Sequence, residues 1–215
     1  MTTELKYADT PWTAHYEAGV REHLDYEETC LPEFLERSAR DFPDNMALLF
    51  QGYRVTYREL KEMVDRFAAV LSGFGVKKGD SVAILLPNVI PCVVCYYAIL
   101  KIGGIVVMNN PLYSDRELEH QFNDSGAKLL VTLDLLGNRM IDLRPKTAIR
   151  EIIYTSIGDY LPFPKNFLFP LVAKKKQLAA DVKAAENVFK WKAVLATAKA
   201  GVPAAAWEPE CPPSP

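Results

Sequence analysis

The sequence has 215 residues, of which 49% are hydrophobic and 24% are charged, and its formal net charge at pH 7 is −2. This composition excludes an intrinsically disordered chain and suits one well-buried core, or one core and part of a second. With 25 basic and 27 acidic residues the chain has no basic excess, so we expect no nucleic-acid partner.

The sequence shows no feature of export or membrane insertion. The amino-terminal stretch MTTELKYADTPW lacks the basic and apolar regions of a secretory signal. Every longer apolar segment is interrupted by Pro, Gly or Lys before it reaches the ~20 residues of a spanning helix. The cysteines, Cys30, Cys92, Cys95 and Cys211, have no spacing typical of a disulfide framework. We therefore expect a cytoplasmic protein.

Residues 1–28 are polar and aromatic without a clear period, and we interpret them as an irregular lead-in. A helix is predicted next, because apolar residues recur at helical spacing until Pro43 ends the run. The apolar residues of this helix are Leu31, Phe34, Leu35, Ala39 and Phe42. The segments NMALLFQG and YRVTY then predict a β-hairpin that turns around Gly52.

Two capping boxes predict the starts of further helices. In TYRE, the Thr56 oxygen can accept a backbone N–H while Glu59 reaches back, and this helix ends at the glycines of SGFGVKKGD. In SDRE, Ser114 and Glu117 have the same relation, and the helix stops near Gly126.

Apolar strands alternate with helices over the following residues. The predicted strands are residues 81–86, 105–108, 129–133 and 149–155, and the other predicted helices are residues 89–102, capped by Asn88, and residues 135–143. Strands that are apolar throughout are buried on both faces, and helical crossovers between them make them parallel. We therefore predict a Rossmann-like layered α/β domain over residues 29–160, with a mostly parallel sheet flanked by helices.

The pattern changes after residue 160. The segment from Tyr160 to Lys176, YLPFPKNFLFPLVAKKK, is rich in aromatic, proline and lysine residues, and ENVFKWKAVLATAKA predicts a helix, so residues 161–196 form an aromatic and basic segment with a helix. The first of these stretches suits either an anionic membrane surface or a loop and short helix packed on the domain. Residues 197–215 have an Ala/Pro-rich linker composition, and we expect the chain to be truncated there.

Two glycine-rich stretches raise the question of a phosphate-binding loop. Such a loop follows a strand and precedes a helix, so that the N–H groups of the helix face the phosphate. Gly103 and Gly104 have the reverse order, and SGFGVKKGD also follows a helix and lacks the spacing of a P-loop. We interpret both stretches as turns from a helix to a strand.

Thiols and imidazoles are the next candidates for chemistry. Cys92 and Cys95 form a C-x-x-C pair near a helix start, where a redox pair would gain a lowered thiol pKa. Their neighbours are apolar or aromatic, which favours a buried core pair instead. The histidines, His15, His23 and His120, lack the tight spacing of a zinc site.

Asn109, Asn110 and Pro111 end a predicted core strand and could approach a ligand crevice. A role in the turn is the interpretation that we favour for them. The sequence contains neither G-x-S-x-G nor H-E-x-x-H, so hydrolase and metalloprotease motifs are absent.

Taken together, the segments resemble the N-terminal part of the adenylate-forming acyl-CoA synthetases. The matching segments, in the order of that family, are VTYREL, GDSVAILLPN, LKIGGIVVMNNPLY and ELEHQFNDSGAKLLVTLD. The stretch IIYTSIGDYLPFPKNFLFPLVAKKK is similar, more narrowly, to long-chain fatty-acid CoA ligases. The resemblance implies that residues 29–160 are the first subdomain of the AMP-binding domain of such an enzyme.

The resemblance also implies a reaction, in which ATP and a fatty acid give an acyl-adenylate and coenzyme A then displaces AMP. The family's Thr/Ser/Gly-rich loop ending in Pro-Lys-Gly, its Tyr-Gly-x-Thr-Glu segment, its ribose-binding aspartate and its catalytic lysine are not found in the 215 residues. We expect these groups downstream of Pro215, and we assign no catalytic, cofactor-binding or metal-binding residue to this chain. ATP, Mg²⁺ and coenzyme A are expected of the full-length family enzyme, without tight binding to this chain.

Two alternatives to a fatty-acid ligase fragment stay open. A fragment of an aryl-acid or amino-acid adenylating enzyme would share the scaffold, although the segment from Tyr160 to Lys176 argues against it. A small non-catalytic binding or redox protein is the alternative from another class. The expected partners are fatty acid, ATP and coenzyme A through downstream residues, with peripheral membrane contact through Tyr160 to Lys176 and a homodimer as further candidates.

Overall fold

A computed structural model describes residues 10–24, 26–27, 29–173 and 178–198. A short 3₁₀ helix spans Pro11–His15, and residues 16–24 contain no helix or strand. Helix α1 (Leu31–Asp41) has Pro32 in its first turn, where the missing N–H costs no hydrogen bond. It buries Leu35 and Ala39, as their helical spacing predicts.

The predicted hairpin follows α1. Strands β1 (Met46–Phe50) and β2 (Tyr53–Thr56) pair in antiparallel fashion. The two residues between them, Gln51 and Gly52, have φ angles of 53° and 95°. Positive φ at both central residues matches the twist of the two strands and is characteristic of two-residue hairpin turns.

Helices and parallel strands alternate over the rest of the described chain. The strands are β3 (Ser81–Leu85), β4 (Ile105–Met108), β5 (Leu129–Leu133), β6 (Glu151–Thr155) and β7 (Val188–Lys190). The helices are α2 (Tyr57–Gly73), α3 (Ile90–Lys101), α4 (Asp115–Ser125), α5 (Asp134–Leu143), α6 (Lys165–Ala173) and α7 (Trp191–Thr197), with 3₁₀ turns at Arg144–Lys146 and Ile157–Tyr160. These five strands form one parallel sheet in the order β4-β3-β5-β6-β7, which confirms the predicted α/β fold.

Both predicted capping boxes are present. At the start of α2, the Thr56 N–H donates to Glu59 Oε2 at 2.7 Å and the Glu59 N–H donates to Thr56 Oγ1 at 3.3 Å. At the start of α4, the Ser114 N–H donates to Glu117 Oε2 at 2.7 Å, and the Glu117 N–H donates to Ser114 Oγ at 3.4 Å. Each box satisfies two backbone or hydroxyl groups that the helix cannot pair internally.

The sheet separates two hydrophobic cores. Val82 and Ile84 of β3 lie in the core under α2, α3 and α7, whereas Ala83 and Leu85 lie in the core under α4 and α5. Successive side chains of a strand point to opposite faces, so β3, β5, β6 and β7 each contribute to both cores. This double burial explains why β3 and β5 are largely apolar. Strand β4 differs from the prediction of burial on both faces, because Val106 packs against the core under α2, α3 and α7 while Ile105 and Met108 are exposed.

The predicted helix over ENVFKWKAVLATAKA is wrong at its amino end. Val188–Lys190 is strand β7, which pairs with β6 in register Ile152 with Val188 and Tyr154 with Lys190, and α7 begins only at Trp191. The apolar spacing of this stretch also suits a helix, and the strand forms because β6 offers an open edge. A short apolar run does not distinguish a strand from a helix until its partner is known.

Two smaller boundaries also differ from the prediction. Asn88 does not cap α3, because the N-cap residue is Val89 and makes no side-chain capping hydrogen bond. The Val89 N–H instead donates to the Pro87 carbonyl at 2.8 Å, so this stretch is a tight turn. The strand predicted from residue 149 begins at Glu151, although Ile149 is buried in the core under α4 and α5.

Candidate ligand crevice at the carboxyl edge of the sheet

The strand order reverses between β3 and β5, and the topology of open parallel sheets predicts a ligand crevice at their carboxyl ends. From β3 the chain crosses to β4 on one side and then returns to β5 on the other side. Open parallel sheets bind ligands at such a reversal, because the chain leaves the two strands in opposite directions. Pro87, Asn88 and Val89 lie close behind β3, and Asp134 directly follows β5. Two clefts open along this edge, one polar and one apolar.

The polar cleft is a cavity of about 350 Å³ beyond the carboxyl ends of β5, β6 and β7. Its polar lining comes from four segments that are far apart in the sequence. The lining residues with polar side chains include Asp134, Tyr154, Ser156, Asp159, Lys190 and Lys192.

Asp134 is the most deeply buried carboxylate of the polar cleft. Burial raises the pKa of its carboxyl above the ordinary value, and the nearby charge of Asp159 acts in the same direction. Hydrogen bonds from the Ser156 hydroxyl and from the backbone N–H groups of Leu135 and Ala180 partly oppose this rise. The Leu135 N–H donates at 2.8 Å. Asp134 therefore ties the ends of two strands to the segment that leads to β7.

Asp159 is held from three directions. It accepts hydrogen bonds from the Thr155 hydroxyl at 3.0 Å and from the Ser156 N–H at 2.9 Å, and its other oxygen lies 3.4 Å from Lys192 Nζ. Asp134 and Asp159 thus already have hydrogen-bond donors. Among the residues that the structure describes, no three His, Cys, Asp or Glu side chains are placed to hold a metal ion together.

The apolar cleft is a cavity of about 610 Å³ between the hairpin turn, the turn after β3 and α6. Most of its lining side chains are hydrophobic. They include Phe50, Val89, Ile157, Leu161, Leu168, Phe169 and Leu178. Its size lies within the range of roughly 300–1,000 Å³ that is typical of pockets for small organic ligands.

A glycine allows the outer wall of the apolar cleft to close. A Cβ atom on Gly158 would lie 2.5 Å from Phe169 Cδ1, so α6 packs directly on the backbone of the 3₁₀ turn. At the other end of the wall, Lys165 Nζ donates to the carbonyl of Gln51 in the hairpin turn at 3.1 Å. The 3₁₀ turn, α6 and the hairpin therefore enclose the cleft together.

Aromatic side chains connect the two clefts to the core. Trp191 Nε1 donates to the Tyr160 hydroxyl at 2.8 Å, and both side chains are buried. The Tyr53 ring contacts Tyr160 edge-on with ring centres 5.8 Å apart, and the Phe67 and Trp191 ring centres are 4.4 Å apart. Burial raises the pKa of Tyr160 to about 12, so its hydroxyl stays protonated at neutral pH.

Asp134, Ser156 and Asp159 were not predicted as site residues from the sequence. Ser156 and Asp159 form a third capping box, in which the Gly158 N–H donates to Ser156 Oγ at 3.3 Å. The S-x-x-D spacing of this box was a usable signal for a turn at the end of a strand. The convergence of the turn with Asp134 and Lys192 had no local signal, because it depends on the order of the strands.

Both glycine-rich stretches are turns, as predicted. Gly103 has a φ of 72° after α3, and a Cβ atom on Gly104 would lie 2.9 Å from the Ile99 side chain. Gly75 and Gly79 follow α2 with φ angles of 81° and 85°. These turns stand at helix C-termini, where the helix dipole repels rather than attracts a phosphate.

The C-x-x-C pair is a buried core pair. Cys92 and Cys95 lie in the first turns of α3 within the core under α2, α3 and α7. Burial raises the pKa of both thiols. The negative charge of a Cys92 thiolate would raise the pKa of Cys95 further. A redox pair requires the opposite shift, because the thiolate is the reactive form.

Asn109 and Asn110 organise the turn after β4. The buried Asn109 amide donates from Nδ2 to the Val107 carbonyl at 2.9 Å, and Asn110 Oδ1 accepts a hydrogen bond from the Leu112 N–H at 2.9 Å. Neither side chain lines the polar or the apolar cleft. Their geometry agrees with the turn role predicted from the sequence.

Comparison with known proteins identifies the family. The family model described as "AMP-binding enzyme" matches residues 35–211 of the chain. The chain belongs to the AMP-binding enzyme family. Within it, the chain is 41% identical over 166 residues to a long-chain-fatty-acid–CoA ligase of Bacillus subtilis. The match covers 77% of this chain and 30% of that ligase, so the chain spans about 30% of the length of this relative.

Two solved structures are similar to the chain and agree with this assignment. A long-chain-fatty-acid-CoA ligase of Archaeoglobus fulgidus is 27% identical with a TM-score of 0.56, over 61% of this chain and 28% of that one. The apo structure of MbtA from Mycobacterium smegmatis is 27% identical with a TM-score of 0.66, over 86% of this chain and 30% of that one. The resemblance predicted from the ordered sequence segments is therefore confirmed.

Proposed function

We propose that the chain is the amino-terminal scaffold of a long-chain fatty-acid–CoA ligase. The observation that carries this proposal is the 41% identity to the Bacillus subtilis ligase over 77% of the chain. The apolar cleft supports the substrate class, because its hydrophobic walls suit an acyl chain better than a charged amino acid. In this proposal residues 29–160 are the first subdomain, residues 161–196 the aromatic and basic segment that reaches β7 and α7, and residues 197–215 a linker.

The whole enzyme would use ATP, Mg²⁺ and coenzyme A. ATP and the fatty acid would give an acyl-adenylate and pyrophosphate, and the thiol of coenzyme A would then displace AMP. The described residues do not fit the nucleotide or the metal ion, because both glycine-rich turns lie at helix C-termini and no metal-binding cluster is found among these residues. We therefore assign no catalytic, cofactor-binding or metal-binding residue to this chain and derive no chemical step from it.

A chimera tests the proposal. Residues 31–198 would replace the matching region of the Bacillus subtilis ligase, and formation of palmitoyl-CoA would be measured. We expect the chimera to retain activity on palmitate, because the remaining ligase supplies the nucleotide-binding groups. The 215-residue chain alone should show no ATP–pyrophosphate exchange with palmitate.

A matched chimera separates the fatty-acid assignment from the alternatives. It would carry the corresponding region of an amino-acid adenylation domain in the same ligase. If this control formed palmitoyl-CoA as well as the first chimera, the region would not select fatty acids. If the first chimera folded but activated only aryl or amino acids, the rival adenylating enzyme would be favoured. The raised pKa of the Cys92 and Cys95 thiols already weighs against a redox protein.

We also propose a cytoplasmic protein that touches a membrane through the start of the segment from Tyr160 to Lys176. Within the described residues no helix has both the length and the apolar character for a transmembrane span. Phe163 and Phe167 are 84% and 75% exposed beside Lys165, which suits an interface with anionic headgroups. Residues 174–177 of this segment lie outside the described residues.

Vesicle co-sedimentation tests the membrane contact. The chain should sediment with vesicles that contain phosphatidylglycerol and less with pure phosphatidylcholine vesicles. Replacing Phe163 and Phe167 by Ser should abolish the binding, whereas Leu112→Ser, at an exposed site in the turn after β4, should leave it unchanged. Equal binding by both variants would contradict the proposed contact.

A further inference from the structure

Helix α1 is joined to the rest of the domain by few apolar contacts. Leu35 and Ala39 are its buried side chains, whereas Phe34 is 49% exposed. The helix packs mainly on α2 and α3. A helix of 11 residues is only marginally stable by itself in water, so α1 needs further contacts with the domain to stay folded.

A cluster of four charged side chains supplies these contacts. Glu36 of α1 pairs with Lys101 of α3, and it lies 3.4 Å from Lys61 Nζ of α2. Asp65 of α2 lies 2.5 Å from both lysine Nζ atoms. The four side chains are 20–39% exposed, and each has two neighbours of opposite charge. We call Glu36, Lys61, Asp65 and Lys101 the charge cluster.

The attraction within the charge cluster exceeds the cost of partial burial. Burial acts to raise the pKa of the Asp65 carboxyl, but hydrogen bonds from Lys101 and Lys61 outweigh it, so this pKa lies below the ordinary 3.8. Burial likewise acts to lower the pKa of Lys61, and the contacts with Asp65 and Glu36 raise it above the ordinary 10.5 instead. Both shifts favour the charged forms, so the cluster binds α1 to α2 and α3 through its charges.

The chain is held differently on the two sides of α1. On the carboxyl side, the Arg58 N–H of α2 donates to the Pro43 carbonyl at 3.0 Å. On the amino side, Arg37 of α1 donates to both carboxylate oxygens of Glu27, at 2.7 and 2.6 Å. The loop after α1 is therefore tied to α2, whereas Glu27 is tied to α1 itself.

We propose that α1 opens from the domain as a separate unit, and that the charge cluster controls how often it opens. The opening ends near Pro43, and Glu27 moves with α1 because of its bonds to Arg37. The two cores against the sheet stay packed, because Leu35 is the one buried side chain that α1 contributes to them. Salt weakens the attraction between partly exposed charges, so the docking of α1 responds to ionic strength. This opening depends on contacts within the described chain and is independent of the ligase assignment.

Hydrogen–deuterium exchange of the 215-residue chain, followed by mass spectrometry, compares α1 with β3 and β5. Glu36→Gln keeps the shape of the side chain and leaves both lysines with Asp65 alone. Exchange of the α1 amides should rise about tenfold, while β3 and β5 keep their protection. Glu33→Gln is the matched control, because Glu33 pairs with Arg37 within α1, and it should change the exchange by no more than about twofold. Equal rises for the two variants, or a rise that extends equally to β3 and β5, would overturn the proposal.

A second substitution tests the same cluster from α3. Lys101→Met should also raise the exchange of the α1 amides. The double variant with Glu36→Gln should show less than the product of the two single effects, because both substitutions remove one shared interaction. Added salt should raise the exchange of α1 relative to β3 and β5 in the wild type, and should have little effect in the double variant. Multiplicative effects of the two substitutions, or wild-type α1 exchange that does not respond to salt, would overturn the proposal.

Discussion

Residues 156–159 contribute to the lining of both the polar and the apolar cleft. The two clefts differ in whether their lining groups already have partners within the chain. In the polar cleft, Asp134 and Asp159 accept hydrogen bonds from groups on either side of them. In the apolar cleft, Leu168 and Phe169 border a larger space that the described residues leave open. The polar groups of the polar cleft therefore stabilise the contact between the segments that line it, and the apolar cleft is the better candidate for a ligand.

The 3₁₀ turn Ile157–Tyr160 explains how residues 156–159 can line both clefts. With three residues per turn, positions three apart lie on the same side. Ser156 and Asp159 thus point into the polar cleft, while Ile157 lines the apolar one. Four consecutive residues are enough to separate a polar from an apolar surface.

The largest expected effect comes from Trp191, which contacts Tyr160 and Phe67 in the core. Trp191→Ala removes a fully buried side chain and the hydrogen bond to Tyr160, so the free energy of unfolding should fall by about 3–5 kcal/mol. Trp191→Phe keeps an aromatic ring in contact with Phe67, so its free energy of unfolding should fall less than that of Trp191→Ala. Urea unfolding followed by circular dichroism measures both values. Equal losses would show that the hydrogen bond, and not ring packing, dominates.

The wall of the apolar cleft can be tested without touching the polar one. Gly158→Ala places a Cβ atom against Phe169, and overpacking should cost about 1–3 kcal/mol of unfolding free energy. Phe169→Ala in the same chain should recover much of this cost, since it removes the clash. Gly73→Ala, where a Cβ atom meets nothing within 4 Å, is the control and should be neutral or stabilising. Additive losses in the double variant would argue against the contact.

Asp134 gives the polar cleft a pH signature. Its pKa is raised in the folded protein above the ordinary 3.8, so the folded state binds this proton more strongly than the unfolded chain. The stabilisation is complete below the ordinary pKa and is lost as the pH rises through the folded pKa. The wild type should therefore lose stability relative to Asp134→Asn as the pH rises above the ordinary 3.8 and through the raised pKa of the folded state. A difference in unfolding free energy that moves the other way across this range would contradict the assigned cause.

The smallest effect is expected at the rim of the polar cleft. Lys192 is largely exposed where it pairs with Asp159, so Lys192→Gln should change the free energy of unfolding by less than about 1 kcal/mol. Added salt should reduce this small difference further. Thermal unfolding at low and high salt measures it. A larger, salt-independent loss of unfolding free energy would mean that Lys192 stabilises the contact between the segments that line the polar cleft.

Local signals predicted most of the fold. The capping boxes at Thr56 and Ser114, and the apolar strands β3, β4 and β5, lie close to the predicted positions. The capping boxes depend on contacts between residues a few positions apart, and β3 and β5 depend on burial of both faces of the strand, and both leave a pattern in the sequence. Strand β4 has the same apolar pattern although Ile105 and Met108 are exposed. The strand β7 was missed because three residues carry too little periodicity to reveal an edge that β6 supplies.

The sequence by itself determined the type and order of the main elements and the family to which the chain belongs, because those follow from local periodicity and from ordered segments. Only the tertiary structure decided which strands are neighbours. That order brings Asp134, Ser156 and Lys192 to one cleft, and it places β4 at one edge of the described sheet. Such convergence requires contacts between residues far apart in the chain, which no local pattern encodes.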